Sequence, residues 1–294
     1  MATPYDYITI DVFTDRPFGG NPLAVVTDAR GLTTEQMQAI AAEFNLAETT
    51  FVLPPADPAH TARVRIFNRT AEMPFAGHPS VGTGYVLAQR GAGGVLTLEV
   101  PAGVVEVNVD RDAQGAPIGA VIAAPQPLSL GAEFDVETIA ACAGIDPSGV
   151  VISEHRPVEA SVGVGFVFAQ LTEAALTSAS PNLAAFREAA DKHADGAERL
   201  SLHLYSREQG RIRARMFAPL SGTWEDAATG SANAALAALL LSLTADQTGK
   251  YEVSQGTEMG RPSRLKLTAR RQDGGIRSTV GGGCVPMFRG EALV

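Results

Sequence analysis

The 294-residue chain predicts an α+β fold of two pseudo-symmetric lobes, each a barrel-like mixed β-sheet curled around a central helix. Three observations carry this. At about 100 to 200 residues per domain, the length fits two domains or one large one. The halves also resemble each other. Arg65-Ile66-Phe67 matches Arg215-Met216-Phe217 at an offset of 150, while Gly77 matches Gly230, and Glu99-Val100-x-x-Gly103 matches Glu252-Val253-x-x-Gly256, at an offset of 153. A three-residue insertion therefore falls between Phe217 and Gly230. Finally, residues 231–243 (SANAALAALLLSL) are apolar nearly all round, and a helix with no polar face must be enclosed by other elements. A curled sheet encloses it, and residues 81–88 are the shorter counterpart in the first half.

The elements follow in order. Residues 8–13 alternate as a strand, Asn21-Pro22 turns, and residues 23–26 form a buried strand. Thr33 or Thr34 caps a helix with Glu35 in its first turn and Met37, Ile40, Ala41 and Phe44 on one apolar face. Residues 49–53, ended by Pro54-Pro55, and 62–67 are strands. A helix follows Gly77-His78, with Pro79 suited to its first position and a stop near Gly91. Residues 96–100 and 104–109 make a hairpin around Ala102-Gly103. The second half repeats the order with a strand at 165–169, an amphipathic helix at 182–194, and strands at 200–205 and 212–217. The lobe boundary is expected near Pro117. Residues 1–117 with about 278–294 then form the N-terminal lobe and 118–277 the C-terminal lobe, because the last strand, around 285–288, returns to the first lobe.

Composition narrows the function. Hydrophobic residues make up 45% and charged residues 19%, which excludes a disordered, collagen-like or disulfide-scaffold chain. The net charge of −9 and pI ≈ 5.1 disfavour nucleic acid and anionic membrane surfaces as partners. A small anionic substrate remains compatible if it is bound locally. Cys142 and Cys284 lie far apart with no C-x-x-C spacing, the N-terminus lacks a signal-peptide pattern, and the apolar run at 234–241 is far shorter than a membrane span. A cytoplasmic location is expected. The histidines at 60, 78, 155, 193 and 203 have no metal-ligand spacing, and phosphate loops, a nucleophile elbow and a Schiff-base lysine near the polar clusters are all lacking. Acid–base proton transfer is the chemistry left to this inventory.

Three polar clusters can carry it. In residues 45–51, Glu48 lies between a helix end and a buried strand, where it is either a solvated junction carboxylate or a base held at a pocket edge. In residues 75–83, Gly77, Pro79 and Ser80 surround a helix start whose free N–H groups favour an anion. His78 there is either a plain helix-cap residue or a proton shuttle and hydrogen-bond donor. Residues 225–233 occupy the equivalent place in the second half, with Thr229, Gly230 and Ser231 at the helix start, Ser231 a possible cap, and Asp226 or Glu225 available to face a cleft. Duplication makes both helix starts point at one cleft between the lobes, a site for a small carboxylate.

At these residues the chain resembles the PhzF-like (phenazine biosynthesis) family, which shares the diaminopimelate epimerase fold. Five ordered blocks carry the likeness over nearly the whole chain: GNPLAVV at 20–26, NLAETTFV at 45–52, EMPFAGHPSVGT at 72–83, EDAATGSA at 225–232 and QGTEMGRPSR at 255–264. The resemblance implies a homodimer with no metal or organic cofactor. It implies Glu48 as general acid/base, with His78, Asp226 and Ser231 orienting and polarising a dihydro-hydroxyanthranilate-like substrate. Diaminopimelate epimerases use a cysteine at each helix start; here Gly77-His78 and Thr229-Gly230-Ser231 stand in those regions, which disfavours thiol chemistry. The segment NRTAE at 68–72 departs from the family pattern beside the expected cleft entrance. Two other functions remain open on the residues alone: an epimerase or racemase of a small amino or hydroxy acid, and a binding protein without catalysis.

Overall fold

Alternating side chains, turn residues and two apolar helical segments build eighteen strands and six α-helices, seen in a computed structural model that describes residues 2–192, 200–208 and 210–294. The chain divides into two units, Met1–Ala123 with Val280–Val294, and Ala124–Thr279. The sequence boundary near Pro117 is too early: Pro117–Ala123 is the last strand of the first sheet before the chain leaves it.

The first unit contains β1 (Pro4–Val12), β2 (Asn21–Val26), α1 (Thr34–Phe44), β3 (Glu48–Leu53), β4 (Ala62–Phe67), β5 (Glu72–Met73), α2 (Gly77–Gln89), β6 (Leu96–Val100), β7 (Gly103–Arg111) and β8 (Pro117–Ala123). Its sheet closes on itself. β1 and β2 are antiparallel, β2 and β3 parallel, β3 and β4 antiparallel, β4 and β6 parallel, and β6, β7 and β8 successively antiparallel. The final strand, Gly275–Leu293, pairs with both β8 and β1 and completes the barrel, as residues 285–288 were expected to do.

α2 fills this barrel. Eleven of its thirteen residues are buried, and Gly82 permits the close fit, since a Cβ there would lie 2.6 Å from Leu23 Cδ2 and 2.8 Å from Ile10 Cδ1. α1 packs outside, its Met37, Ile40 and Ala41 buried against Val26, Phe51 and Phe67. Thr33 caps it with a reciprocal Thr33–Gln36 capping box.

In the second unit the strands are β9 (Ser129–Glu133), β10 (Val150–Val151), β11 (Val158–Ser161), β12 (Gly165–Leu171), β13 (Leu202–Glu208), β14 (Arg211–Ala218), β15 (Thr223–Asp226), β16 (Thr248–Gln255) and β17 (Ser263–Gln272), with the final strand becoming β18. Its helices are α3 (Val136–Ala143), α4 (Glu173–Ser178), α5 (Leu183–Lys192) and α6 (Gly230–Ser242). The last two residues of the helix expected at 182–194 lie outside the described residues.

The pairing order repeats that of the first unit. β11 and β12 are antiparallel, β12 and β13 parallel, β13 and β14 antiparallel, β14 and β16 parallel, β16 and β17 antiparallel. Registers agree as well. Thr49 opposes Phe67 as Leu202 opposes Phe217, and Ile66 opposes Met73 as Met216 opposes Asp226. The three-residue insertion forms the 3₁₀ turn Pro219–Ser221. α6 matches α2 in length, and its apolar side chains from Ala234 to Leu241 are at most 2% exposed. Among the described residues no helix is long and apolar enough to cross a membrane.

Candidate active site

Glu48 is the first residue of β3, paired with Leu23 of β2, so its backbone is fixed by the parallel ladder as soon as the strand begins. His78 is the second residue of α2. The two meet, with His78 Nε2 3.3 Å from Glu48 Oε2, and both side chains are largely shielded, at 5% and 16% exposure.

A third residue orients the imidazole. Asn21, the first residue of β2, places Nδ2 3.4 Å from His78 Nδ1. An amide nitrogen only donates, so Nδ1 accepts and the ring proton sits on Nε2, facing Glu48. Burial pushes the His78 pKa down to about 3, so the ring is neutral at pH 7 even beside a carboxylate. A neutral imidazole with this tautomer presents its Nε2–H edge to the Glu48 carboxylate across the 3.3 Å contact.

Gly77, Pro79 and Ser80 complete the first turn of α2. Pro79 is its third residue rather than its first, because the helix already begins at Gly77 after the extended Ala76. Ala76 offers no side-chain cap, and the Ser80 hydroxyl donates to the Ala76 carbonyl instead (2.8 Å). The NRTAE segment is a tight turn: Asn68 Oδ1 accepts from the backbone N–H groups of Thr70 and Ala71, both at 2.8 Å.

The corresponding corner of the second unit is a network. α6 begins at Gly230, so Ser231 lies inside the helix and the capping position belongs to Thr229, whose backbone is extended. The Thr229 hydroxyl donates to Asp226 Oδ2 at 2.6 Å rather than accepting from the helix. Gln255 and Asn233 join these residues through further bonds. Glu225, by contrast, forms a two-point ion pair with Arg215, both contacts at 2.8 Å, which leaves Asp226 as the candidate acid of this corner.

Reasoning from the sequence passed over Asn21, Gln255 and Asn233 as site residues. Asn21 opens the buried strand β2 and Gln255 ends β16 at a buried position, each inside a matched block, where a polar residue requires a partner. Both cysteines lie elsewhere, Cys142 in α3 and Cys284 in β18. Burial pushes both thiols up, Cys142 to about 12, so neither is a thiolate at neutral pH. Among the described residues no group of three or more His, Cys, Asp and Glu is placed to hold a metal ion.

Comparison with known proteins identifies the family. The family model for phenazine biosynthesis-like proteins matches residues 10–290. An uncharacterized isomerase from Mesorhizobium japonicum is 39% identical over 98% of this chain and 99% of its own. The trans-2,3-dihydro-3-hydroxyanthranilate isomerase of Pseudomonas chlororaphis is 36% identical over 99% of this chain and 100% of its own. Among solved structures, a phenazine biosynthesis protein of the PhzF family from Bacillus anthracis superposes with a TM-score of 0.87 at 24% identity, covering 99% and 100% of the two chains. The chain belongs to the phenazine biosynthesis-like (PhzC-PhzF) family, and it is an isomerase.

Proposed function

We propose that the protein isomerises a small cyclic amino or hydroxy carboxylate of the dihydro-hydroxyanthranilate type by moving one proton, with Glu48 as the group that carries it. The observation that supports this most is the Glu48–His78–Asn21 alignment. A general base needs a carboxylate shielded from water and held in place. Glu48 has both, and burial keeps His78 neutral. Glu48 removes a proton from one ring carbon, the electron pair shifts along the conjugated system, and the protonated Glu48 returns the proton at another carbon. Each helix start is suited to bind a carboxylate or polar substituent: Gly77, Pro79 and Ser80 at α2, and Asp226, Thr229, Gly230 and Ser231 at α6.

The repeat favours this over two-base epimerisation. By strand register and helix start, the residues of the second unit that correspond to Glu48 and His78 are Ser201 and Ser231. Hydroxyls at those places leave one carboxylate–imidazole pair in the repeat, which suits proton transfer on one face of a substrate.

The test is incubation with trans-2,3-dihydro-3-hydroxyanthranilate in deuterated water, followed by mass spectrometry of the product. Glu48→Gln should slow turnover about 10²-fold or more while ligand affinity stays within several-fold. Undiminished proton transfer in that variant removes Glu48 from the mechanism. No turnover by the wild type removes this compound as substrate. Inversion at a single carbon would point to epimerisation.

A further inference from the structure

Gln255 and Asn233 are both fully buried, at 0% exposure, and their side-chain hydrogen bonds to one another and to Asp226 and Thr229 converge on the start of α6. Gln255 Oε1 accepts from the Thr229 backbone N–H (3.2 Å) and from Asn233 Nδ2 (2.7 Å). Gln255 Nε2 donates to the Asp226 carbonyl (2.9 Å) and to Thr229 Oγ1 (3.1 Å). Asn233 Nδ2 also donates to the Thr229 carbonyl (3.0 Å). The glutamine amide therefore uses both donors and both acceptor directions, which is the full capacity of the group.

The consequence lies in the direction of one proton. Thr229 has a single hydroxyl hydrogen. Because Gln255 Nε2 donates to its oxygen, that hydrogen is turned toward Asp226 Oδ2, 2.6 Å away. Gln255 also fixes the backbone on both sides, at the Asp226 carbonyl and the Thr229 N–H. We propose that Gln255 is a positioning residue, which sets the orientation of the Asp226 carboxylate through Thr229 and is itself held by Asn233. Neither amide touches the substrate; the role rests on the assignment of Asp226 to substrate binding made above. Apolar packing alone would not account for a side chain whose four hydrogen bonds end on two residues of one corner, Asp226 and Thr229, and on the asparagine that supports it.

Gln255→Met keeps the length and removes the amide. In the full-length protein, the carboxyl carbon of Asp226 is followed by ¹³C NMR as pH is lowered, and thermal melting confirms folding. The Asp226 midpoint should rise in Gln255→Met, since a hydroxyl aimed at a carboxylate favours its ionised form. With trans-2,3-dihydro-3-hydroxyanthranilate as probe, kcat/KM should fall about 10- to 100-fold, because small misplacements of a binding group have effects of that size. On an Asp226→Asn background the same change should reduce kcat/KM by less than threefold, as expected for two residues acting as one unit. Asn233→Ser, which borrows the residue at the matching place in α2, Ser80, should raise the Asp226 midpoint by a smaller amount and serves if Gln255→Met does not fold. A folded Gln255→Met with unchanged Asp226 titration overturns the proposal, as do fully additive losses in the double variant. If the wild type fails to turn over the probe, the substrate reading falls, and the Asp226 titration still decides the role of Gln255.

Discussion

α2 and α6 are both thirteen residues long, both begin on a glycine, and both follow a residue, Ala76 or Thr229, whose side chain does not cap the helix. The supports beside them are also alike. Arg65 pairs at two points with Glu72, and Arg215 with Glu225. Each arginine lies over the phenylalanine two residues on, Arg65 at 5.0 Å from the Phe67 ring and Arg215 at 4.9 Å from Phe217. The chemical residues differ at nearly every matching place. Glu48 and His78 correspond to Ser201 and Ser231, Met73 to Asp226, and Thr50 to His203. What the two units share is the apparatus that holds a helix start; what separates them is which side carries the titratable pair. Of the two equivalent corners, one carries the Glu48–His78 pair and the other the hydrogen-bond network of Thr229, Asp226 and Gln255.

The largest expected effect tests the shared apparatus. Arg215 is 7% exposed at its side chain and also donates to the carbonyls of Leu176 and Ala179, whereas Arg65 and Glu72 are 16% and 30% exposed. Glu225→Ala leaves a buried guanidinium without its carboxylate and should lower unfolding stability by about 3 kcal/mol. Glu72→Ala exposes its partner to water more readily and should lower it by about 1 kcal/mol. Urea unfolding of the two variants measures the difference. Equal losses would mean that the two ion pairs are equivalent in energy as well as in geometry.

A second comparison concerns acid. His78 and His203 are buried, one in each unit, and burial pushes both down to about 3, with Asn233 opposing the effect at His203. The unfolded chain binds their protons near pH 6.5, so between about pH 6.5 and 3 the unfolded state holds more protons than the folded one. The stability from keeping them neutral is present above about pH 6.5 and is lost as pH falls toward 3, by about 1.4 kcal/mol per pH unit for each histidine. His203→Thr, the residue of the first unit, and His78→Asn should each flatten this slope by one proton. Urea midpoints between pH 4 and 7 test it; an unchanged slope in both variants would mean that these histidines gain protons without unfolding.

Much of this framework was legible in the sequence. The offsets of 150 and 153 foretold the repeated register, and the three-residue insertion that separates them leaves the ion pair intact, since Arg65 pairs with Glu72 seven residues on and Arg215 with Glu225 ten residues on. The enclosed α6 was legible because it has no polar face. Harder to read were residues 124–164, where β9 is exposed along its whole length, β10 has two residues and α3 only eight, too few for a hydrophobic period to emerge. Glu48 and His78 could be picked out as costly residues near helix and strand ends. Their 3.3 Å contact could not, since it depends on a parallel β2–β3 ladder closing around α2. Gln255 was hidden for the same reason: its partners lie 22 to 29 residues away along the chain.

The smallest expected effect sharpens the comparison inside the barrels. By the offset between the helices, Gly82 of α2 corresponds to Ala235 of α6, which is fully buried with its methyl group accommodated. At Gly82 a new Cβ would meet Leu23, Ile10 and Val12 side-chain atoms at 2.6, 2.8 and 2.9 Å. Helix propensity favours alanine over glycine by about 1 kcal/mol, and overpacking a filled core costs about 1 to 3 kcal/mol. Each contacted atom is the end of a side chain and can give slightly, but the three come from two adjacent strands and close the space together. Overpacking therefore wins, and Gly82→Ala should destabilise the protein by about 1 kcal/mol. Ala235→Gly should also destabilise it, by about 1 kcal/mol, from lost helix propensity and a small void. Urea midpoints of the two variants carry the test. A higher midpoint for Gly82→Ala would mean that α2 has room to move within its barrel, and that the glycine is there for a reason other than close packing.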